Sequence, residues 1–261
     1  MNSVNKTLYI PLYGKAYVSA KGLFLKDPKA EEIWAAEGFP LKGRAASKWL
    51  AYYMGIRSAV FDAWTAKAME TETQALVLHI GCGLDSRVMR VDTKDRRWFD
   101  IDLPAVIAER KRYFTETDTY CMLPADVREE DWLASLPQAD SAIVVMEGVS
   151  MYLTEEELRT LTEALARRFE HLSLLTDCYT TLAAKLSKRK NPINEVGVTT
   201  VYGLDDPLIL QQGDLRFVTE HPMTPKTFTE ELHGMEKRIF KTLYGGKLSE
   251  KLYRLYEYRK G

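Results

Sequence analysis

Gly81 and Gly83 stand one residue apart at the end of the apolar run QALVLHIG (74–81), and Asp85 follows where many phosphate-cradling turns carry another glycine. Glycines in such a turn let the backbone approach a ligand closely. Three further runs end in acids: Asp100 and Asp102 close RRWFDID (96–102), Asp126 with Val127 closes TYCMLPADV (119–127), and Glu147 with Gly148 closes SAIVVMEG (141–148). Asp102 lies about 20 residues past the first glycine, where a carboxylate can accept two hydrogen bonds from the vicinal diol of a ribose. Asp100 is expected to matter less, on the reading that strand alternation points it to the other face. Four acid-bearing ends in a row describe a strongly negative cleft. Asp85 would then repel a pyrophosphate that a helix N-terminus attracts. The cleft suits a nucleoside with cationic groups and no phosphate, which is the chemistry of S-adenosylmethionine. Its one carboxylate needs a cation from elsewhere, and Lys15 and Arg57 are the candidates. Each feature alone has a plainer account: a tight turn, helix-capping aspartates, surface charges. The ordered series favours the ligand.

These residues need elements to hold them. The four runs, with a fifth at HLSLLTD (171–177), read as strands buried on both faces of a parallel sheet. Helical patterns at 86–91, 104–115, 128–135 and 154–170 alternate with them, which predicts a doubly wound α/β fold. Ligands of such sheets sit beyond the carboxyl ends of the strands. Residues 1–70 read as helical, broken at Gly22, Pro28 and 38–43, with Trp49, Tyr53, Ile56, Val60, Phe61 and Trp64 in a core-facing stripe. LRFVTEHPM (215–223) and KLYRLYEYR (251–259) read as further strands around the helical PKTFTEELHGMEKRIFKTL. The expected organisation is one domain over 1–261: a helical cap (1–70), a donor-binding core (71–178), and the rest of the sheet with acceptor-side elements (179–261).

The chain has 261 residues, 46% of them hydrophobic, enough for one sizeable core. Its 36 basic and 37 acidic residues give a net charge of −1, no electrostatic case for nucleic acid or an anionic membrane. Cys82, Cys121 and Cys178 form no CxxC pair, which fits a reducing, cytoplasmic setting. The N-terminus carries Pro11 and no long apolar stretch, so it does not read as a signal peptide. No apolar run approaches the ~20 residues of a membrane helix. The four histidines show no i,i+4 pair, and no metal is expected.

VLHIGCGLDSRVMR, FDIDLPAVIAERKR, ADVREEDW and VVMEGVSMYLTEEE, in that order over residues 76–170, resemble the leucine carboxyl methyltransferase family. Its members include protein phosphatase C-terminal methyltransferases and bacterial polyketide-type O-methyltransferases. GKAYVSAKGLFLKDP is similar to the family's entry segment. The resemblance implies a class I, Rossmann-like methyltransferase fold: a seven-stranded, mostly parallel sheet with its last strand antiparallel. It implies S-adenosylmethionine as donor, with Gly81 and Gly83 along the methionyl part, Asp102 on the ribose, and Asp126 and Val127 flanking the adenine. Glu147 would sit near the amino group, and Lys15 and Arg57 near the carboxylate. Tyr152, facing the acceptor, and Glu147 are the expected catalytic residues, with Asp85 and Arg87 paired as support.

Methyl transfer from a sulfonium is an in-line displacement that needs the nucleophile held about 3–3.5 Å from the methyl. A carboxylate, of reference pKa near ~4, is ionised at neutral pH, whereas a phenol near ~10 gains from a general base. No motif histidine supplies one, and His79 reads as a core residue. A carboxyl acceptor is therefore favoured over a hydroxyl, with Arg87 or Arg44 as its cation and Tyr152 orienting one oxygen. The expected function is O-methylation of a carboxylate or hydroxyl on a small molecule, a protein C-terminal carboxylate being the second partner. The alternatives are an NAD-dependent dehydrogenase, opposed by Ser86, Asp85, Asp126 and Glu147, and a non-catalytic nucleoside-binding module of the same fold.

Overall fold

Three helices come from the described part of the first seventy residues, in a computed structural model that describes residues 7–187, 200–245 and 249–261. Residues 1–6, part of the expected cap, lie outside the described residues. Helix α1 (Tyr9–Ala20) leads to α2 (Pro28–Glu37), which starts where Asp27 Oδ1 accepts from Ala30 N at 2.9 Å and ends at the left-handed Gly38. Helix α3 (Lys48–Thr71) is capped by Ser47, whose Oγ accepts from Trp49 N at 3.3 Å. Helices α1 and α3 approach closely because glycines face side chains. A Cβ on Gly14 would sit 2.6 Å from Met54 Cβ, and one on Gly55 2.7 Å from Val18 Cγ2. That approach fixes Lys15, on α1, relative to Arg57, on α3.

The sheet follows. Strand β1 (Leu76–Ile80) precedes the glycine turn and α4 (Arg87–Arg90); β2 (Trp98–Asp102) is followed by α5 (Pro104–Arg110) and β3 (Tyr120–Pro124). Then come β4 (Ser141–Met146), α6 (Glu155–Arg168), β5 (His171–Tyr179), α7 (Thr181–Ser187), β6 (Arg216–Glu220), α8 (Lys226–Thr229), α9 (Gly234–Tyr244) and β7 (Tyr253–Lys260). All seven expected strands are present. The helical pattern at 128–135 shortens to a 3₁₀ turn, Asp131–Ser135, and the long pattern after Pro225 divides into α8 and α9. Helix α6 begins with a reciprocal capping box between Thr154 and Glu157.

The strand order is β3-β2-β1-β4-β5-β7-β6. β1 to β5 pair in parallel, and β7 runs antiparallel to both β5 and β6. The chain winds outward from β1 to β3 and returns to β4 on β1's other side. That reversal makes the switch point at which open sheets bind ligands. Alternation divides the core: Val77, Trp98, Ile143 and Leu175 pack towards the cap, and Leu78, Phe99, Val144 and Leu174 towards the opposite layer. Asp100 and Asp102 are two residues apart and so share the face of Trp98, which corrects the expectation that Asp100 points away. No described helix is long and apolar enough to cross a membrane.

Candidate active site

A cavity of about 330 Å³ opens at the carboxyl ends of β1, β2 and β4, within the range usual for small-molecule sites. Lys15 and Arg57 line it from the cap, and Gly81, Gly83 and Asp102 from the first two strand ends. Asp126, Val127, Glu147 and Tyr152 complete it, so the residues expected to hold the donor, and Tyr152, meet there. The glycine turn needs its glycines: Gly81 has φ +67° and a Cβ there would lie 2.0 Å from Val149 Cγ2, while Gly83 has φ +53°. Gly83 N donates to Asp102 Oδ2 at 2.8 Å and Leu103 N to Oδ1 at 2.7 Å. Those bonds fix the carboxylate and leave lone pairs on both oxygens for a diol. Burial pushes Asp102 up to about 6, against the pull of the two N–H groups. Asp126 accepts from Arg128 N at 3.1 Å and pairs with the Arg128 guanidinium at the more open end.

The cleft is not the bare negative surface that the acids suggest. Asp85 turns inward onto three cations: Arg90 Nη1 at 2.9 Å, Lys15 Nζ at 3.1 Å and Arg87 Nη2 at 3.6 Å. Burial alone would raise its pKa, but Arg90, Lys15 and Arg87 outweigh it and hold the carboxyl well below its usual range. Glu147 is held below its ordinary value in the same way, with Arg57 Nε at 2.9 Å from Oε1 and Arg87 on Oε2. The expected Asp85–Arg87 pairing is present. Asp85 therefore does little to repel a phosphate, because its charge is met by Lys15 of the cap and by Arg87 and Arg90 of α4.

Asp100 is tied up below the cavity. It accepts from Trp98 Nε1 at 2.9 Å and Tyr120 Oη at 2.7 Å, pairs with Arg110, and lies 3.1 Å from His79 Nδ1. Arg110 most of all holds it down, against burial, to about 2. His79 is buried and its pKa is lowered by burial, so the neutral ring donates from Nδ1 to Asp100 and accepts from Arg87 Nη1 at 3.0 Å. It is the core residue expected.

The rest of the lining includes apolar and aromatic side chains, Leu50, Met54, Met151, Tyr152, Tyr179 and Tyr253 among them. Burial pushes the Tyr152 phenol up to about 12, so at neutral pH it donates hydrogen bonds and is not a base. The two cations expected to serve an acceptor do not line this cavity. Arg87 is fully buried on Glu147, Asp62 and Asp85, and Arg44 is exposed elsewhere. Sequence reasoning missed Asp62, which joins Arg87 and Arg90 to α3, and missed Asp177 and Tyr253, both bonded to Arg57. For Asp177 a signal existed: it ends the fifth apolar run, as Asp102 ends the second.

The chain is similar to known proteins. The Streptomyces glaucescens tetracenomycin polyketide synthesis O-methyltransferase TcmP is 29% identical over 244 residues, 92% of this chain and 90% of that one. The Gibberella zeae S-adenosyl-L-methionine-dependent methyltransferase dpfgK is 24% identical over 183 residues, 64% of this chain and 61% of its own length. Among solved structures, magnesium protoporphyrin IX methyltransferase from Synechocystis PCC 6803 superposes with a TM-score of 0.54 over 98% of this chain and 100% of that one, at 13% identity, a likeness of fold. Residues 6–166 match the family described as leucine carboxyl methyltransferase. With three of its motifs at three successive strand ends of a class I methyltransferase sheet, the chain belongs to the leucine carboxyl methyltransferase family.

Proposed function

We propose that the protein methylates an oxygen of a small, largely apolar acceptor, with S-adenosylmethionine as donor. The observation that carries this reading is one cavity with a mixed lining: hydrogen-bonding groups from Gly81 to Glu147 together with aliphatic and aromatic side chains such as Leu50, Met54, Met151 and Tyr179. The residues present fit the donor. Asp102 is anchored by two backbone N–H groups and keeps acceptor capacity for a diol. Glu147 is ionised and suits an ammonium group; Lys15 and Arg57 suit a carboxylate. When bound, S-adenosylmethionine supplies a methyl group made electrophilic by its sulfonium. The chain's part is to hold the donor, align the acceptor and exclude water. Gly81 and Gly83 leave the backbone open along the methionyl part, and Val127 with Asp126 flanks the adenine. Tyr152 orients the acceptor by donating a hydrogen bond. TcmP's name, a polyketide O-methyltransferase, supports oxygen and a small molecule over a protein carboxylate. In this reading the chain acts as one domain, the described part of the cap (7–70) covering the core of 71–178, with Tyr179 and Tyr253 of the remainder facing the acceptor.

Titration calorimetry tests the donor. S-adenosylmethionine and S-adenosylhomocysteine should bind and raise the melting temperature, since both would favour the folded state. Binding of NAD, with neither sulfur nucleoside bound, would overturn the reading.

A further inference from the structure

The rule that puts Asp102 and Glu147 beside the cavity applies once more, at β5. Asp177 is fully buried near the end of that strand, its Oδ1 accepting from Gly148 N at 2.7 Å and its Oδ2 from Arg57 Nη1 at 3.1 Å. Tyr253, at the start of antiparallel β7, stands beside Asp177, because both meet the same guanidinium nitrogen of Arg57. The Tyr253 oxygen accepts from the same Arg57 Nη1 at 3.1 Å, and its ring meets Tyr179 edge-on with centroids 4.7 Å apart. Tyr253 and Tyr179 both line the cavity. The cations lining the cavity among the described residues are Lys15, Arg57 and Arg128, and each already holds a carboxylate. With Lys15 and Arg57 turned to the donor's carboxylate in the reading above, and Arg128 on Asp126, a carboxylate acceptor would bring a second charge with no further lining cation to meet it. A neutral hydroxyl meets a phenol backed by a carboxylate.

We propose that Tyr253 is a catalytic residue that takes the proton of a weakly acidic hydroxyl acceptor while passing its own proton to Asp177. This rests on the O-methyltransferase reading and narrows its acceptor to a hydroxyl. As the acceptor oxygen bonds to the methyl carbon, the electron pair of the carbon–sulfur bond returns to sulfur. The acceptor's O–H proton moves to the Tyr253 oxygen, and the Tyr253 phenolic proton moves to the Asp177 carboxylate. Asp177 ends as a neutral acid and gives its proton to water after the product leaves. Burial pushes Asp177 up to about 6, the Arg57 guanidinium and the Gly148 N–H opposing it and Glu147 adding to it. It is therefore ionised at neutral pH yet able to hold a proton. Burial keeps the Tyr253 phenol well above its ordinary range, so Tyr253 hands on a proton and is not a standing phenolate.

The test compares the full-length wild type, Tyr253→Phe and Asp177→Asn on ring-substituted phenols of pKa ~7 to ~10 and on benzoate. The wild type should convert phenols to methyl ethers that survive mild base. Tyr253→Phe should lower kcat ~100-fold on the least acidic phenols and less than ~5-fold on the most acidic, because an acidic acceptor needs little help losing its proton. Its affinity for S-adenosylhomocysteine, measured by calorimetry, should stay within about threefold of wild type. Asp177→Asn should show the same acidity-dependent loss; if it fails to fold, Tyr253→Phe decides alone. An unchanged kcat in Tyr253→Phe, a loss equal across all acidities, or a wild type that prefers benzoate to every phenol would overturn the relay. A wild type that binds S-adenosylhomocysteine but methylates no oxygen would overturn the O-methyltransferase reading itself.

Discussion

Lys15 Nζ lies 3.1 Å from Asp85 Oδ2, with both side chains buried, so the cap helix α1 is ionically tied to the glycine turn. The carboxylate in that turn is an anchor for the cap. Arg87 and Arg90 share it and carry the tie on to Asp62 of α3. Asp85→Ala leaves three buried cations short of a partner and should cost about 3–5 kcal/mol in a urea melt, whereas Lys15→Met, with both arginines left on Asp85, should cost about 1–2 kcal/mol. A larger loss from Lys15→Met than from Asp85→Ala would contradict this division.

Asp100 and Asp102 share a strand face but should separate stability from binding. Asp102→Ala should weaken S-adenosylhomocysteine binding by about 1.5–3 kcal/mol, the worth of hydrogen bonds to a charged group. Asp100→Ala strands the buried Arg110 and should lower unfolding free energy by about 3–5 kcal/mol, with donor affinity nearly unchanged in the folded fraction. Calorimetry and urea melts on both variants decide it.

How much of this was legible beforehand differs by residue. The strands were, because β1 and β4 are buried on both faces and read as unbroken apolar runs. The glycine turn and the acids Asp102, Asp126 and Glu147 were, because their elements follow one another in sequence. The partners of Arg57 were not: Asp177 and Tyr253 stand 120 and 196 residues away, and Tyr253 meets it because β7 inserts antiparallel beside β5. Nor, apart from the Asp85–Arg87 pairing that the family resemblance implied, was charge compensation legible. Counting acids at strand ends gave a negative cleft, whereas the guanidiniums that neutralise it come from helices whose facing no local pattern specified.

Donor affinity should depend on pH through Asp102. Its pKa stands at about 6 in the free protein, so the carboxylate that accepts the ribose hydroxyls is fully formed only above that value. Affinity should be level above about pH 7 and fall by up to about tenfold per unit below about pH 6. Asp100 and Arg110 act on Asp102 as well, and Asp177 titrates in the same range, so Asp102→Asn is the control. Its affinity should be lower throughout, with a flatter slope. The same slope in wild type and Asp102→Asn would assign the titration elsewhere.

Tyr152 should act as a hydrogen-bond donor only. With its phenol pushed up to about 12, Tyr152→Phe should lower kcat/KM by about 1 kcal/mol, roughly fivefold, equally for acidic and weakly acidic acceptors. A loss that grows as the acceptor becomes less acidic would make Tyr152 the proton-transfer group in place of Tyr253.

The central claim is methyl transfer from S-adenosylmethionine to oxygen in this cavity. Incubating the protein with methyl-labelled S-adenosylmethionine and a panel of phenols, benzoates, amines and thiols, then locating the label by mass spectrometry, tests it most directly. The predicted result is label on oxygen, with S-adenosylhomocysteine formed in equal amount and both lost in Asp102→Ala at donor concentrations near the wild-type Kd. Label on nitrogen or sulfur alone, or no transfer to any acceptor while the donor stays bound, would contradict it.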